Sequence, residues 1–257
     1  MGGTDAMGFN RKSLKVGGRV AGFVVLALML SGCFRPLAVT HQQDSPSTRP
    51  FWCESTGGEG THGSAYYTNL GIQKGMLSWE DCLELSGNLD DALAYAMQWP
   101  TRGAAEADGW NAQVNYATGM GTHHALGNPL QGSFDPGRPN FLQYDGNGPD
   151  AKLVGMSWYV NNGPAGPPAG FPGDNDWWHT HEYLCIANGS GLVIRDGQCL
   201  AGQDGVSVYL GDFWMVHAWI VPGWFHQSDI FVGHHPCLLP GGPADAGDPC
   251  WTMGHMG

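Results

Sequence analysis

Short apolar runs dominate the chain beyond residue 120, and they constrain its fold more than any other feature. The runs span residues 140–144, 153–160, 177–186, 191–194, 206–210, 213–221 and 230–232. Gly, Pro, Asn and Asp separate them, which is typical of β-strands joined by turns. Strands this short with few helices between them favour a β sandwich or barrel built from antiparallel strands.

The segment before these runs, residues 51–120, is predicted to be mainly helical. Ser78 is a candidate N-cap with acidic residues in the turn that follows it. Apolar residues at near-helical spacing follow at Leu83, Leu85, Leu89, Leu93 and Met97. Pro100 ends this helix, and Thr101 is predicted to cap a second helix that extends to Tyr116. We therefore expect an α+β fold in which a helical N-terminal segment packs on the β region of residues 121–240, with residues 241–257 as a C-terminal tail.

The N-terminus has the features of an export signal. Four basic residues precede an uncharged apolar run over residues 20–30, which is too short to span a membrane as a helix. The run ends in Leu30-Ser31-Gly32-Cys33, which resembles the bacterial lipobox. This resemblance implies a signal peptide over residues 1–32, acylation of Cys33 with chains such as palmitate, and a lipid anchor at the extracytoplasmic face of the cell membrane. Residues 33–50, rich in Pro, Ser, Thr and Gln, then form a tether to a single globular domain over 51–257. An uncleaved anchor helix is the alternative.

Removal of residues 1–32 changes the charge of the protein. The whole chain has a formal charge of −12, and the mature chain would keep seven basic and 22 acidic residues, a charge of −15. Such a surface has no excess of cations to neutralise phosphates, so we expect no nucleic-acid partner. Attachment to the membrane would therefore depend on the lipid. The sequence leaves the oligomeric state open.

Six cysteines remain once Cys33 is assigned to the lipid. An even number in an exported chain indicates disulfides, and six cysteines allow fifteen connectivities. We predict the sequential pairs Cys53–Cys82, Cys185–Cys199 and Cys237–Cys250, since each closes one short excursion between elements. A cysteine-ligated metal site is the alternative, but the chain has no CxxC pair.

Histidines alternate with aromatic residues on two of the predicted strands. His179 and His181 would point to the same face of one strand, because side chains alternate with a period of two. His217 lies on the alternating face of a later strand. Imidazoles that converge in this way can bind Zn, Cu, Mn or Fe at about 2 Å. We predict a divalent transition-metal site at these three residues; the alternative is that they are neutral histidines buried in the core.

The spacing of this segment resembles the cupin motif. Gly173, followed after five residues by His179 and His181, matches the opening of that motif, and a later histidine, here His217, closes the cupin site. The resemblance implies a mono-metal centre on a jelly-roll barrel. One departure is that cupins place a glutamate three or four residues beyond the second histidine, whereas Glu182 adjoins His181.

Other residues could complete the site. We choose His123 as the fourth ligand, because the glycines before it allow close approach; His124, His62 and His235 are the alternatives. Asp176 and Glu182 are candidate hydrogen-bond acceptors that would orient the imidazoles.

Two further patterns have simpler interpretations. The oxygen-rich segment 145–150 could hold calcium, but a plain Asn-Gly turn is the preferred interpretation. The tryptophans at 177, 178, 214, 219 and 224 are predicted to be core rather than a sugar-stacking platform. The chain has no serine-hydrolase elbow and no phosphate-binding loop.

A set of short strings over residues 51–240 resembles a family of exported bacterial lipoproteins to which no reaction is assigned. The strings are Gly121-Thr122-His123, Phe134-Asp135-Pro136, Arg138-Pro139, Phe141-Leu142-Gln143-Tyr144, Leu153-Val154-Gly155, Trp178-His179-Thr180-His181 and Met215-Val216-His217-Ala218-Trp219. The resemblance implies one exported domain and no particular mechanism.

Three functions are consistent with the sequence. The first is a metal-dependent enzyme of the cell envelope, an oxidoreductase or a hydrolase. The second is a non-catalytic surface module that binds a small molecule or glycan, with its histidines in the core. The third is a protein that captures or delivers the metal, in which case the coordination sphere would be closed.

Overall fold

The computed structural model describes residues 50–53, 77–173, 175–225 and 230–245, together with residues 248 and 250. The predicted signal peptide, Cys33, the tether and His62 lie outside the described residues. In the part that is described, no helix is long and apolar enough to cross a membrane.

The first helix, α1, spans Trp79–Ala96 and confirms the predicted N-cap. The Ser78 hydroxyl accepts a hydrogen bond from the Asp81 backbone N–H at 3.0 Å. The buried face of α1 consists of Cys82, Leu85, Leu89, Ala92, Leu93 and Ala96. Leu83 and Met97, which the spacing placed on that face, are 55% and 43% exposed.

The second helix, α2, is shorter than predicted. Thr101 caps it as expected, accepting a hydrogen bond from the Ala104 backbone N–H at 3.3 Å, but the helix spans only Arg102–Ala107. The predicted continuation to Tyr116 is wrong, since strand β1 occupies Trp110–Ala117. Gly109, with a φ of 91°, makes the turn between the two elements.

Ten strands are described. They are β1, β2 (Gly121–Leu126), β3 (Phe141–Tyr144), β4 (Leu153–Asn161), β5 (Tyr183–Ala187), β6 (Val193–Asp196), β7 (Gly205–Tyr209), β8 (Phe213–Ala218), β9 (Leu238–Leu239) and β10 (Gly242–Pro243). The first eight form one sheet in the order β7-β5-β6-β1-β2-β3-β4-β8, and β9 pairs with β10. The expectation of a purely antiparallel sheet is wrong at one junction, because β1 and β6 pair in parallel through Val114 and Val193.

Five of the seven predicted runs coincide closely with strands. In the run 177–186 only the end becomes a strand, β5, and the run 230–232 forms a turn. Strand β1 was not predicted, because its residues were assigned to the second helix, and β2 was not predicted, because the glycines before His123 indicated a turn. Short 3-10 turns at Phe51–Cys53, Pro129–Gln131 and Gly163–Ala165 complete the regular structure that is described.

The two faces of the sheet have different neighbours. On one face, side chains such as Leu142, Met156 and Val216 share a core with the buried residues of α1. Phe141, Tyr159 and Met215, each an odd number of positions from one of these residues, lie on the other face. The helices therefore cover one face of the sheet and leave the other for a second layer.

The segment before β5 contacts the far edge of the sheet. An isolated antiparallel bridge joins His179 to Met215 of β8, with both backbone hydrogen bonds at 2.8 Å. The segment leading into β5 thus runs beside β8, from the opposite end of the strand order. The arrangement is a mixed eight-stranded sheet with few helices and is consistent with a β sandwich.

All three predicted disulfides are confirmed. The structure pairs Cys53 with Cys82, Cys185 with Cys199, and Cys237 with Cys250. The first joins the start of the described chain to α1, and the second joins β5 to the segment between β6 and β7.

Candidate functional site

The pleat of β2 sends the adjacent histidines His123 and His124 to opposite faces of the sheet. His124 lies on the helix face, where its ring packs edge-on against Tyr144 and its Nε2 lies 3.3 Å from the Glu106 carboxylate. His123 lies on the other face, with its side chain toward β8. The choice of His123 over His124 as a candidate ligand therefore agrees with the direction of its side chain.

His123 and His217 contact each other directly. The Nε2 atoms of the two rings are 3.2 Å apart, and the ring planes are inclined at 73°. His217 reaches this position because β8 pairs with β4, which in turn pairs with β3 beside β2. Three strand registers thus bring together two histidines that are 94 positions apart in sequence.

His179 and His181 extend this pair into a run of four imidazoles. Both backbone hydrogen bonds of the bridge to Met215, at 2.8 Å, hold His179 beside β8. Its ring stacks on His217 with 5.1 Å between centroids and lies 5.2 Å from the ring of His181. We call His123, His217, His179 and His181 the histidine cluster. The four residues predicted as metal ligands are the four members of this cluster.

His123 and His217 are neutral at physiological pH. His123, His179 and His217 are 4%, 2% and 1% exposed. Burial, followed by the positive charges that His181 and His124 would carry, lowers the pKa of His123 to about 3. Burial and the neighbouring imidazoles, His179 foremost, hold the pKa of His217 well below its usual value. Neutral imidazole is the form that binds a metal ion.

Gln143 completes the buried polar layer and was missed by sequence analysis. Its amide Nε2 lies 3.0 Å from His123 Nε2 and 3.4 Å from the Ser157 hydroxyl. Its Oε1 is buried and has no hydrogen-bond partner among the described residues. The register that pairs His123 with Gln143 creates this contact, so only a correct prediction of β2 would have revealed it.

Gly155 gives the Gln143 side chain its space. A Cβ added at Gly155 would lie 2.6 Å from Gln143 Oε1 and 2.6 Å from Trp219 Cε3. Trp219 in turn stacks beside His217, with 5.9 Å between ring centroids. Any larger residue here would push the amide or the indole into the histidine cluster.

The two acidic residues predicted to orient the histidines have different positions. Asp176 is buried, and its Oδ2 accepts hydrogen bonds from the Phe171 backbone N–H at 3.0 Å and the Trp178 indole N–H at 2.7 Å. It thereby fixes the loop that leads to His179. Glu182 is exposed, and the carboxylate beside His181 Nδ1, at 3.1 Å, is that of Asp196. Asp196 ends β6, and no sequence signal connected it with His181.

The remaining sequence candidates lie elsewhere. His235 packs edge-on against Trp219 and Trp224. The segment 145–150 is a turn, as preferred, in which the Asp145 carboxylate accepts from the Lys152 backbone N–H at 2.7 Å. Trp177, Trp178, Trp214 and Trp219 are buried and Trp224 is half-buried, which confirms the prediction of core tryptophans.

A cavity of about 600 Å³ lies beside the histidine cluster. His123, His181 and His217 line it, together with Tyr159 and Met215. Strands β5, β6 and β7 contribute mainly aliphatic side chains to the rest of the lining. The cluster therefore has an open side, and a small molecule in the cavity would meet three of its imidazoles.

As the side chains stand, no group of three or more His, Cys, Asp or Glu residues in the described part of the chain is arranged to hold a metal ion. Within the histidine cluster, the Nε2 atoms of His123 and His217 are 3.2 Å apart. No family model, no curated protein and no solved structure matches the chain. The resemblances to cupins and to an exported lipoprotein family thus stay predictions.

Proposed function

We propose that the histidine cluster binds a divalent transition metal, in a protein that a lipid anchors to the extracytoplasmic face of the cell membrane. The observation that supports it most is the 3.2 Å separation of His123 Nε2 and His217 Nε2. Two nitrogens bound tetrahedrally at 2.0–2.1 Å to one ion stand about 3.3 Å apart. The two rings therefore already have the separation of two ligands of one metal.

The remaining ligands require only side-chain rotation. His179 stacks on His217 in a nearly parallel plane, 25° away, and His181 is the next ring along. Turning His179 about its side-chain bonds would bring a third nitrogen toward the first two. Neutral nitrogen ligands suit Cu, Fe, Mn or Zn and disfavour Ca and Mg.

The adjoining cavity favours an enzyme over a metal carrier. A carrier needs a closed coordination sphere, whereas three of the four rings line a space open to a small molecule. A metal with a free position can bind dioxygen or lower the pKa of a water molecule, so we infer a metal-dependent oxidoreductase or hydrolase. Metal capture is the second candidate. A glycan-binding module gains little support, because the tryptophans it would use are largely buried.

Metal analysis of variants of the full chain tests the metal site. The protein would be purified in detergent without a histidine tag, stripped with chelator and reloaded with Zn, Cu, Fe or Mn. We expect about one ion per chain in the wild type and stoichiometric loss in His179→Ala/His181→Ala and in His123→Gln. His124→Gln is the matched control, since it changes the adjacent histidine on the other face and should keep the metal. Absence of bound metal after all four reloading attempts would overturn the proposal.

The anchor has its own test. The lipobox resemblance of residues 30–33 supports acylation of Cys33. In a bacterial host fed labelled palmitate, the wild type should incorporate label and sediment with membranes, and Cys33→Ala should remain unlabelled with an uncleaved signal. Equal labelling of both proteins would exclude Cys33 as the modified residue.

A further inference from the structure

One part of the cavity wall is aliphatic and open to the cavity. Val114, Leu184, Ile186, Val193 and Val208 line it, and each is only partly buried. Aliphatic side chains from four strands that face a common space present an apolar surface to whatever fills it. Cavities of this volume are of the size that takes small organic molecules.

Tyr159 brings a polar group to the lining of the cavity. Tyr159 on β4 lines the cavity, is 4% exposed, and its hydroxyl has no hydrogen-bond partner among the described residues. Its ring is fixed by stacking on Phe213 and by an edge contact with Phe141. Burial raises the pKa of Tyr159, so the hydroxyl stays protonated and can donate. A buried donor without an acceptor is costly, and a ligand oxygen would satisfy it.

Charge selects against ionic ligands. The charged side chains of the lining, Arg195 and Asp196, are exposed, and Asp196 contacts His181. The less exposed part of the lining is mainly aliphatic, so a neutral ligand is preferred there.

We propose that the cavity binds a neutral, mainly apolar small molecule through its aliphatic wall, with a single oxygen function placed at the Tyr159 hydroxyl and the histidine cluster. This substrate class rests on the proposed function in one respect, namely that the metal lies at the polar end. Binding itself needs only the cavity and Tyr159.

The test uses the full chain in lipid nanodiscs, both chelator-stripped and zinc-loaded, with three probes. 1-Naphthol has an apolar body and one hydroxyl, naphthalene lacks the oxygen, and methyl glucoside represents a sugar. Equilibrium dialysis would measure binding beyond that of empty nanodiscs. We expect saturable binding of 1-naphthol, weaker binding of naphthalene and none of methyl glucoside.

Matched variants assign the binding to the cavity. Tyr159→Phe should weaken the binding of 1-naphthol by about fivefold, because one hydrogen bond is lost, and should leave the binding of naphthalene unchanged. The control is Tyr209→Phe, which removes a hydroxyl from a side chain that is 53% exposed and should change neither. Val208→Trp fills the cavity from an edge strand and should weaken the binding of 1-naphthol and of naphthalene at least tenfold. Val208→Phe serves if the larger residue prevents folding, as judged by circular dichroism.

The outcomes separate this proposal from the metal site. Binding of 1-naphthol by stripped protein that takes up no metal would support the cavity and overturn the metal centre. A protein that binds metal but no 1-naphthol would overturn the proposed substrate class, as would equal binding of methyl glucoside or wild-type affinity in a folded Val208→Trp variant.

Discussion

At the scale of single residues, the site depends on how β-strand alternation distributes its polar groups. His123 and Gln143 sit opposite each other in register, and the Gln143 amide Nε2 lies 3.4 Å from the hydroxyl of Ser157 on the next strand, β4. All three point away from the helix core, so a layer of polar side chains is buried without disturbing that core. Gly155 supplies the gap into which the Gln143 amide fits.

The Gln143 amide has two orientations, and only one suits a metal. As it stands, Nε2 faces His123 and Oε1 is buried without a partner in the described structure. Turning the amide exchanges these atoms and places the oxygen toward the Nε2 atoms of His123 and His217. Gln143 thereby becomes a candidate oxygen ligand beside the histidines.

Substitutions at Gln143 test this role. Gln143→Glu adds a negative charge next to the ion and should tighten zinc binding by about tenfold or more, while Gln143→Met keeps the volume without the oxygen and should weaken it by about tenfold. Competition with a chromophoric chelator measures both affinities. Gln113→Glu, at the edge of the same cavity, gives the control for a general charge effect. If Gln143→Glu and Gln113→Glu shift the affinity equally, Gln143 is not a ligand.

At the scale of elements, the sequence predicted those with strong local signals. Both N-caps of α1 and α2, and the runs of β3 and β4, were correct because capping residues and apolar runs act locally. Residues 110–117 form a strand because they pair with β2, and this pairing outweighs their weak helical pattern. Of the two predicted histidine strands, the one that carries His217 is confirmed as β8. The strand predicted for His179 and His181 is wrong, because His179 makes a single bridge and His181 lies before the start of β5.

The loop before His179 is positioned by the Asp176 carboxylate. Gly170 lets it approach, since a Cβ there would collide with Asp176 Oδ2. Asp176→Asn keeps the shape of the side chain but loses its charge. We expect the free energy of unfolding, measured in urea, to fall by about 1–2 kcal/mol, and the metal affinity to fall because His179 is released. The control is Asp204→Asn, which removes an exposed carboxylate bonded to Asn188 and should cost less than about 0.5 kcal/mol. Equal losses in the two variants would show that Asp176 has no special role.

The Cys185–Cys199 disulfide holds together the aliphatic wall of the cavity. It links β5 to the chain between β6 and β7, and both of these strands pair with β5. Cys185→Ala/Cys199→Ala should lower the free energy of unfolding by about 3 kcal/mol, as for a closed loop of this length, and weaken 1-naphthol binding.

Cys237→Ala/Cys250→Ala is the matched control for that variant, since its loop is nearly equal in length and neither cysteine lines the cavity. It should lose similar stability and keep its affinity for 1-naphthol. If both double variants lose affinity alike, the effect reflects general destabilisation.

At the scale of the whole molecule, a strongly acidic chain carries a neutral buried site. The formal charge of the full chain is −12, whereas the imidazoles of His123 and His217 are held uncharged by burial. Divalent cations will therefore bind weakly to many surface carboxylates regardless of the site. Any measurement of metal binding has to separate this surface background from binding at the histidine cluster. Thermal stability makes this separation, because only tight binding to the folded state stabilises the protein strongly.

Zinc should raise the melting temperature of the stripped protein through this linkage. At a free concentration 100 times the dissociation constant, one site adds about 2.7 kcal/mol, which corresponds to roughly 5–10 °C for a domain of about 200 residues. Scanning calorimetry with and without zinc measures the shift, and magnesium at the same concentration reports the contribution of surface carboxylates. His123→Gln should lose the zinc-specific part, while His124→Gln keeps it, because the two rings lie on opposite faces of β2. An identical shift with magnesium, or an undiminished zinc shift in His123→Gln, would assign the binding to the acidic surface and remove the cluster from consideration as a metal site.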